Sequence, residues 1–399
     1  MTELTEEQKE VLRGFRVKKE NARGNTMKIC FVTSTSPDFL GGVSMYHKNL
    51  INYLKINKNL EITWVYFNDK AEEYDKDNVH YISLKSKKLN PYIEFKRNLS
   101  LAKFFKNKDF DIINCQGGFW TFFYKKKENQ KIIHTFHGTI YYFNKNQLKK
   151  FGIIKKILFS PILLLSKFLE RPHKKADKII CVSNKVQRQV EKLYGKRDII
   201  VIRTGVDLNE FRLRDKIESR NKLHLNKNDI YGLYIGGGGY WGKGLDRVIK
   251  ISEMIYNKNK NYKLIVIGAD YNKCKKLLDN SKCTYYMIDV LRKDIPLYYN
   301  SADIFFNLSR YEGGAPNMTT SEAMASGCLL ICSQDSEQEI IINKENGLVY
   351  SDFDWQDILN IYEILNNETE KNKIINNEIK TVQELSLEKW GEKYGKYLK

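Results

Sequence analysis

The stretch Ser309-Arg-Tyr-Glu-Gly-Gly-Ala-Pro-Asn-Met-Thr-Thr-Ser-Glu-Ala-Met-Ala-Ser-Gly327 lies between two apolar runs. Ala302-Asp-Ile-Phe-Phe-Asn-Leu308 before it reads as a buried parallel strand, and Cys328-Leu-Leu-Ile-Cys332 after it reads as the next. Between them fits one short helix. Asn317 or Thr319 can cap its start, Glu322-Ala-Met-Ala-Ser suits its body, and Gly327 can end it in the left-handed conformation. The Gly313-Gly314 pair lets backbone come close to a ligand, and the helix N-terminus that follows offers N–H groups to a phosphate or a sugar hydroxyl. The loop therefore reads as the floor of a ligand site. Two carboxylates flank it, Glu312 and Glu322. Ionised carboxylates only accept hydrogen bonds, so a pair facing a cavity suits a sugar or a ribose. In the competing reading Glu322 complements the helix dipole and Glu312 is a solvated loop charge. Spacing alone favours the second.

The same strand, Gly-containing loop and helix pattern recurs along the chain. Lys28-Ile-Cys-Phe-Val-Thr33 is a short apolar strand, followed by a turn holding Gly41 and Gly42 and by a helical stripe through Tyr46, Leu50, Ile51 and Leu54. This is the first unit of a doubly wound sheet, with its ligand site outside the C-terminal end of the strand. The turn is not GxGxxG, and no acidic residue closes the second strand, which argues against a nicotinamide enzyme. Further strands are expected at 62–66 and 111–115, within 131–139 where the strand ends in a polar loop, within 178–184 where it leads into a helix, and within 199–207, which closes the first domain. His134 and His137 are three apart, so in an extended strand they point to opposite faces and do not form a metal pair. A second domain opens with Tyr231-Gly-Leu-Tyr-Ile235 and the loop Gly236-Gly-Gly-Gly-Tyr-Trp-Gly-Lys-Gly244, then a helix beginning near Leu245. Lys243 can reach a pyrophosphate there. The loop is not a Walker motif, because Lys243 is followed by Gly. Strands near 263–268 and 285–288 and a final helix over 385–398, with an aromatic stripe, complete the pattern.

At 399 residues and 42% hydrophobic content the chain fits two domains. Seven cysteines without a CxxC pair point to buried thiols in a reducing compartment. The first residues are charged and no apolar run reaches membrane-spanning length, so a cytoplasmic protein is expected. The net charge of +19 calls for an anionic partner or reflects a Lys-, Asn- and Ile-rich composition alone, two readings of equal weight. No nucleic-acid module is found. Residues 1–26 read as an appended amphipathic helix, with Thr5-Glu-Glu-Gln8 as a capping box. Residues 149–178 mix lysines with a dense apolar set. They suit a helix at an anionic membrane surface, where each basic residue contributes about 1 kcal/mol, with one side expected in the core and a basic rim on the other. The Asp-x-Asp triplets at Asp75, Asp109 and Asp352 read as chance.

Ser309-Arg-Tyr-Glu-Gly, Glu322-Ala-Met-Ala-Ser-Gly, Glu339 and Asn346-Gly-Leu-Val349 together resemble the donor-site signature of family 4 retaining glycosyltransferases. The resemblance implies the α/β fold called GT-B: two Rossmann-like doubly wound domains facing a cleft, with a C-terminal helix crossing back to the first domain. The corresponding boundaries are 1–26 for the extension, 27–203 for the acceptor-side domain, 204–383 for the donor-nucleotide domain and 384–399 for the crossover helix. In the family two glutamates stand eight positions apart; here they are ten apart. By resemblance Glu312 contacts the transferred sugar, His137 reaches toward it from the acceptor domain, and Lys243 holds the diphosphate, making these three the expected catalytic residues. Gly41, Gly42, Gly238, Lys243, Gly314, Asn317, Met318, Thr319 and Glu322 are the expected donor-binding set, Glu322 on the ribose. Gly238 stands where the family usually has an arginine, so either Lys243 works alone, or another cation such as Arg247 or Arg310 substitutes, or affinity for the donor is poor. Thr204 stands where relatives often show Asn.

The implied reaction moves a hexose, with retention, from a UDP-sugar or GDP-mannose to a hydroxyl of a lipid-linked or cell-surface glycan. No metal and no cofactor beyond the nucleotide sugar is expected. The implied partners are the donor, the glycan or lipid-linked acceptor and an anionic membrane met peripherally through 149–178, with no nucleic acid. The alternatives are a nucleotide-sugar epimerase of the same fold and a sugar-nucleotide-binding protein that has lost catalysis.

Overall fold

The computed structural model describes residues 26–39, 41–86, 91–116, 119–171, 175–195, 198–236, 241–268, 271–287, 290–314, 316–351 and 353–398. Residues 1–25 of the expected extension, residues 172–174 of the lysine-rich stretch, Gly238 and Asp352 lie outside the described residues. The apolar runs build two sheets. The first contains β1 (Met27–Val32), β2 (Leu60–Asn68), β3 (Glu72–Lys76), β4 (Val79–Lys85), β5 (Ile112–Cys115), β6 (Lys131–Phe136), β7 (Lys178–Cys181) and β8 (Ile199–Val201). Its spatial order is β3-β4-β2-β1-β5-β6-β7-β8. The second contains β9 (Ile230–Ile235), β10 (Tyr262–Ile267), β11 (Thr284–Met287), β12 (Ile304–Asn307), β13 (Leu329–Ser333) and β14 (Leu348–Tyr350), in the order β11-β10-β9-β12-β13-β14. Apart from β3, which runs antiparallel to β4, the pairings are parallel.

The strand order reverses between β1 and β5 in one sheet and between β9 and β12 in the other. Crevices open at such switch points, beyond the carboxyl ends of the strands. Helices cover both faces of each sheet, which is why β12 and β13 are buried throughout and read as unbroken apolar runs. The strands β3 and β4 carry no such run; β3 is exposed along its length and is held partly by Tyr74 stacking on Tyr81 at 5.0 Å.

The chain crosses between domains twice, and the crossings pair. Val206 donates its N–H to the Leu385 carbonyl at 2.9 Å, and Leu387 donates to the Val206 carbonyl at 2.9 Å. The helix Leu387–Leu398 then lays Trp390, Tyr394 and Leu398 into the first-domain core, as the GT-B pattern implies. Asn114 donates to the Tyr394 hydroxyl at 2.5 Å. A Cβ on Gly391 would lie 2.1 Å from the Tyr53 ring, so only glycine allows this approach.

One expectation fails in the first domain. Residues 153–170 do not form one helix with a buried side. They break into Ile153–Phe159 and Pro161–Glu170; the first buries no residue and the second buries only Ser166 and Glu170. The pair stands outside the helix Ile140–Gln147 and holds it through polar contacts, Asn144 to the Ser166 hydroxyl at 2.8 Å and the Ile140 N–H to Glu170 at 2.7 Å. Its apolar residues therefore face outward, with Ile154 at 77% and Leu164 at 74% exposure. Among the described residues no helix is long and apolar enough to cross a membrane. All seven cysteines are buried free thiols.

Because the crossover helix fills first-domain core, Trp390→Ala should cost about 3–5 kcal/mol, read as a lower urea midpoint. A loss below about 1 kcal/mol would mean that the helix is only draped on the surface.

Candidate active site

The carboxyl ends of the two sheets face each other across a cavity of about 580 Å³. Its floor is the loop after β12 and the helix Met318–Ala325. Asn317 is the cap: its side chain accepts from the Thr320 N–H at 2.9 Å, while the Thr319 hydroxyl donates to the same oxygen at 3.0 Å. Gly327 ends this turn of chain at φ 78°. Asn307, the last residue of β12, donates to the Thr320 hydroxyl at 2.7 Å and ties strand to helix.

Glu322 is buried on this helix and both its oxygens are held. Arg292 donates to Oε1 at 2.7 Å and the Tyr299 hydroxyl donates to Oε2 at 3.0 Å. Burial and then the Glu322 charge push the Tyr299 phenol far above its usual range, so it stays a donor. Burial alone would lower the Arg292 pKa, but the Glu322 carboxylate outweighs it and the guanidinium stays charged. A second pair lies across the floor, Lys243 Nζ at 2.8 and 3.1 Å from the two oxygens of buried Glu312.

Neither Arg247 nor Arg310, the arginines offered as substitutes at the diphosphate, is among the residues that line the cavity. Arg310 forks onto Asp246 with two bonds of 2.7 Å and lies over the Trp241 ring at 4.7 Å. Arg247 pairs with Asp335 at 2.7 Å. Both are held in pairs with carboxylates outside the cavity; among the described residues the lysine and arginine side chains that line it are Lys243 and Arg292.

The first domain supplies the opposite lip. Gly41 caps the helix Gly42–Leu54 with extended backbone and no side-chain cap bond, leaving the helix start to face the cavity. His137 follows β6 at the wall. Burial, reinforced by nearby His47, pulls its pKa down to about 3, so the ring is neutral at physiological pH. His134 lies within β6, buried, its pKa lowered to about 4 by burial.

Between floor and lip the domains touch. A Cβ on Gly313 would fall 1.8 Å from the His137 carbonyl oxygen, so this backbone approach requires glycine. Ser183 donates its hydroxyl to the Gly313 carbonyl at 2.7 Å. Glu339, in the second domain, accepts from the Asn184 N–H at 3.1 Å, from the Lys185 N–H, and from Arg203 at 3.1 Å. It thus sits at the N-terminus of the first-domain helix Asn184–Tyr194. Tyr311 donates to Gln189 at 3.2 Å along the same seam.

His137, Glu312, Lys243, Gly41, Gly42, Gly314, Asn317, Met318, Thr319 and Glu322 all line the one cavity, as does Thr204. Sequence reading missed Arg292, Tyr299 and Gln116. Arg292 and Gln116 fall just after β11 and β5, and the rule that sites gather at carboxyl ends of parallel strands could have found them. Asp75 and Asp109 lie on the surface, and among the described residues no group of three or more His, Cys, Asp or Glu is arranged to hold a metal. A second cavity of about 470 Å³ lies in the first domain and shares Phe39, Gly41, Gly42 and Val43 with the first. Glu94, Arg97, Asn98 and Gln116 line it.

Residues 40–210 match the family model Glycosyltransferase Family 4, and residues 215–381 match Glycosyl transferases group 1. No curated protein sequence matches the chain. Among solved structures it is similar to sucrose-phosphate synthase from Thermosynechococcus elongatus, with a TM-score of 0.79 at 16% identity over 93% of this chain and 98% of that one. WaaG, a glycosyltransferase involved in lipopolysaccharide biosynthesis, gives a TM-score of 0.74 at 14% identity over 92% and 99%. Anabaena HepE in complex with UDP-glucose gives 0.69 at 14% over 93% and 99%. At such identities the likeness is one of fold.

Removing the seam carboxylate by Glu339→Ala should cost about 1 kcal/mol of first-domain stability through the lost helix cap. It should also raise the radius of gyration in small-angle scattering; an unchanged radius would show that other contacts hold the domains.

Proposed function

Since the chain belongs to the glycosyltransferases that join a family 4 half to a group 1 half, we propose that it moves a hexose, with retention, from a UDP-sugar to a hydroxyl of a lipid-linked glycan. The observation that carries this reading is the pairing of Lys243 with Glu312 and of Arg292 with Glu322 in one cavity at both switch points. Each pair offers a cation to a phosphate and a carboxylate to a hydroxyl. A diphosphate draws Lys243 away from Glu312, whose freed oxygens accept from the hexose, and Glu322 has lone pairs left for a ribose. UDP is preferred over GDP because the HepE structures hold UDP or UDP-glucose.

In the transfer the bond from the anomeric carbon to the leaving phosphate oxygen breaks while the acceptor oxygen bonds to that carbon on the same face. The acceptor's proton passes to the phosphate oxygen. Charge growing on the diphosphate meets Lys243 and the helix N-termini at Met318 and Gly42, groups fixed before the reaction begins. No metal is assigned to this step. His137 acts as a neutral hydrogen-bonding group toward the sugar.

The acceptor reading rests on the surface beside the second cavity. Ile153, Ile154, Ile157, Leu158, Leu164, Leu165 and Phe168 are exposed on the outward helix pair, among Lys149, Lys150, Lys155, Lys156 and Lys167. This composition suits a shallow seat in an anionic bilayer surface, with the protein peripheral on the inner face of the cell membrane. From Phe168 the aromatic rings continue to Phe119 at 6.3 Å and on to Phe95 at 6.4 Å. Phe95 shares its helix with Glu94, Arg97 and Asn98 of the second cavity. An apolar path thus runs from the membrane-facing helices to a polar pocket, which fits a glycan carried on a lipid.

With UDP-hexoses and a lipid-linked acceptor, Lys243→Ala should lower kcat/KM by roughly 100- to 1000-fold, and EDTA should leave the wild-type rate unchanged. Product NMR should show the donor's anomeric configuration. Donor isomerised without acceptor would indicate an epimerase, and binding without turnover a binding protein; rate loss in EDTA restored by a divalent cation would remove metal independence.

Replacing Lys155 and Lys156 together by Ala should weaken binding to anionic vesicles by about 2 kcal/mol, roughly 30-fold, since each exposed cation contributes about 1 kcal/mol. Unchanged binding would remove the membrane contact.

A further inference from the structure

The second cavity carries a charge that the donor has no use for. Its walls stand at the carboxyl ends of β1 and β2, marked by Thr33, Thr35 and Phe67, and the helix Pro91–Lys106 adds Glu94, Arg97 and Asn98. Among the described residues Arg97 is the basic side chain that lines it. Only 11% of that side chain is exposed; its Nε donates to the Ser86 hydroxyl at 2.6 Å, and its guanidinium lies over the Phe67 ring at 4.7 Å. These contacts hold the group against the cavity wall. The carboxylate beside it is held more loosely. Glu94 is half exposed, stands 4.0 Å from Nη1 of Arg97 and accepts from the Asn98 amide at 3.2 Å.

The cations of the two cavities differ in how their charge is balanced. At Arg292 burial is outweighed by the Glu322 carboxylate and the pKa is raised, whereas at Arg97 burial outweighs Glu94 and the pKa is lowered. A guanidinium keeps its proton at physiological pH, so Arg97 is a permanent cation whose burial the neighbouring carboxylate offsets only in part. An anion entering the cavity completes that balance, and half-exposed Glu94 is free to turn to water.

Position decides which anion this is. Arg97 is not among the residues that line the donor cavity, so it is not placed for the diphosphate assigned to Lys243. The two cavities meet at Phe39, Gly41, Gly42 and Val43. No atom of the described residues lies within 4 Å of a Cβ built on Gly42, so the shared wall is open there. A cavity of about 470 Å³ is of the size that takes a small ligand such as a sugar unit.

We propose that Arg97 makes the second cavity selective for an acidic acceptor: the sugar seated there carries a carboxylate or phosphoryl group that takes the fork of the guanidinium, while one of its hydroxyls reaches the donor hexose past Gly42. That oxygen bonds to the anomeric carbon as the bond to the diphosphate breaks, and its proton leaves on the diphosphate. The inference rests on the transferase reading and adds to it the chemical class of the acceptor.

The test uses the full chain with UDP present to fill the donor cavity, and titrates methyl glucoside, methyl glucuronide, glucose 6-phosphate and inorganic phosphate by calorimetry. The glucuronide or the glucose phosphate should bind roughly ten- to hundred-fold more tightly than the glucoside, the margin of a charge-assisted hydrogen bond. Which of the two binds tells carboxylate from phosphoryl. In wild-type crystals soaked with the tighter probe the acid should lie on Arg97, a result that needs no variant to fold. Arg97→Gln should erase the margin, and Arg97→Lys should keep part of it, since a point charge remains without the fork. With the acidic sugar as acceptor, Arg97→Gln should raise its KM while KM for the UDP-hexose stays within about twofold. No margin of either acid over the glucoside, an acid seated away from Arg97, or inorganic phosphate bound as tightly as the sugar acids would each overturn the proposal. Transfer to neutral sugars without such a margin fails this inference alone, and an acid on Arg97 in a chain that transfers no sugar fails the transferase reading alone.

Discussion

Glu339 belongs to the second domain by chain order and to the first by bonding. Its carboxylate accepts charge-assisted bonds from the backbone N–H groups of Asn184 and Lys185 and from the guanidinium of Arg203. Together with the Ser183 to Gly313 bond it brings the carboxyl edges of two sheets to a fixed separation. That separation is what lets His137 and Glu312 line one cavity, since neither domain alone contains both. The paired crossings at Val206 and Leu385–Leu387 join the domains at another point, so the cavity is framed by two independent contacts.

Within that frame the charges cancel in pairs. Isolated buried Glu312 and Glu322 would each carry a large desolvation penalty, and Lys243 and Arg292 offset it. An anionic ligand rich in hydroxyls exchanges with these pairs without stranding a charge: phosphate replaces carboxylate at the lysine, and hydroxyls replace the cation at the carboxylate. A neutral sugar brings no charge to offset the lysine, and an inorganic phosphate brings its own negative charge to the carboxylates. The site is thus electrostatically matched to a molecule that carries both.

Most of this frame was legible in the sequence, because parallel strands in a doubly wound sheet must be apolar throughout and must end in loops where glycine marks close approach. The runs at 302–308 and 328–332 became β12 and β13, and Asn317 and Gly327 bound the short helix as their side-chain chemistry requires. Ten residues read from the motifs converge on the cavity despite the longer spacing between Glu312 and Glu322. What escaped was pairing over long distances. Arg292 meets a carboxylate 30 positions on, and Gln116 meets His137 21 positions on; no local pattern encodes either. The charged edge strand β3 has no apolar alternation to announce it. The lysine-rich apolar stretch was misread for a different reason. Its composition permits either a core or a surface, and only the polar contacts of Ser166 and Glu170 with the neighbouring helix show which side faces out.

A crystal structure of the chain with a non-hydrolysable UDP-hexose tests the central claim most directly. The account predicts the diphosphate on Lys243 Nζ in place of Glu312, the ribose hydroxyls on Glu322, and the hexose between Glu312 and His137. A nucleotide bound elsewhere, or bound in the cavity with the Lys243–Glu312 pair intact and the sugar turned away from His137, would contradict it.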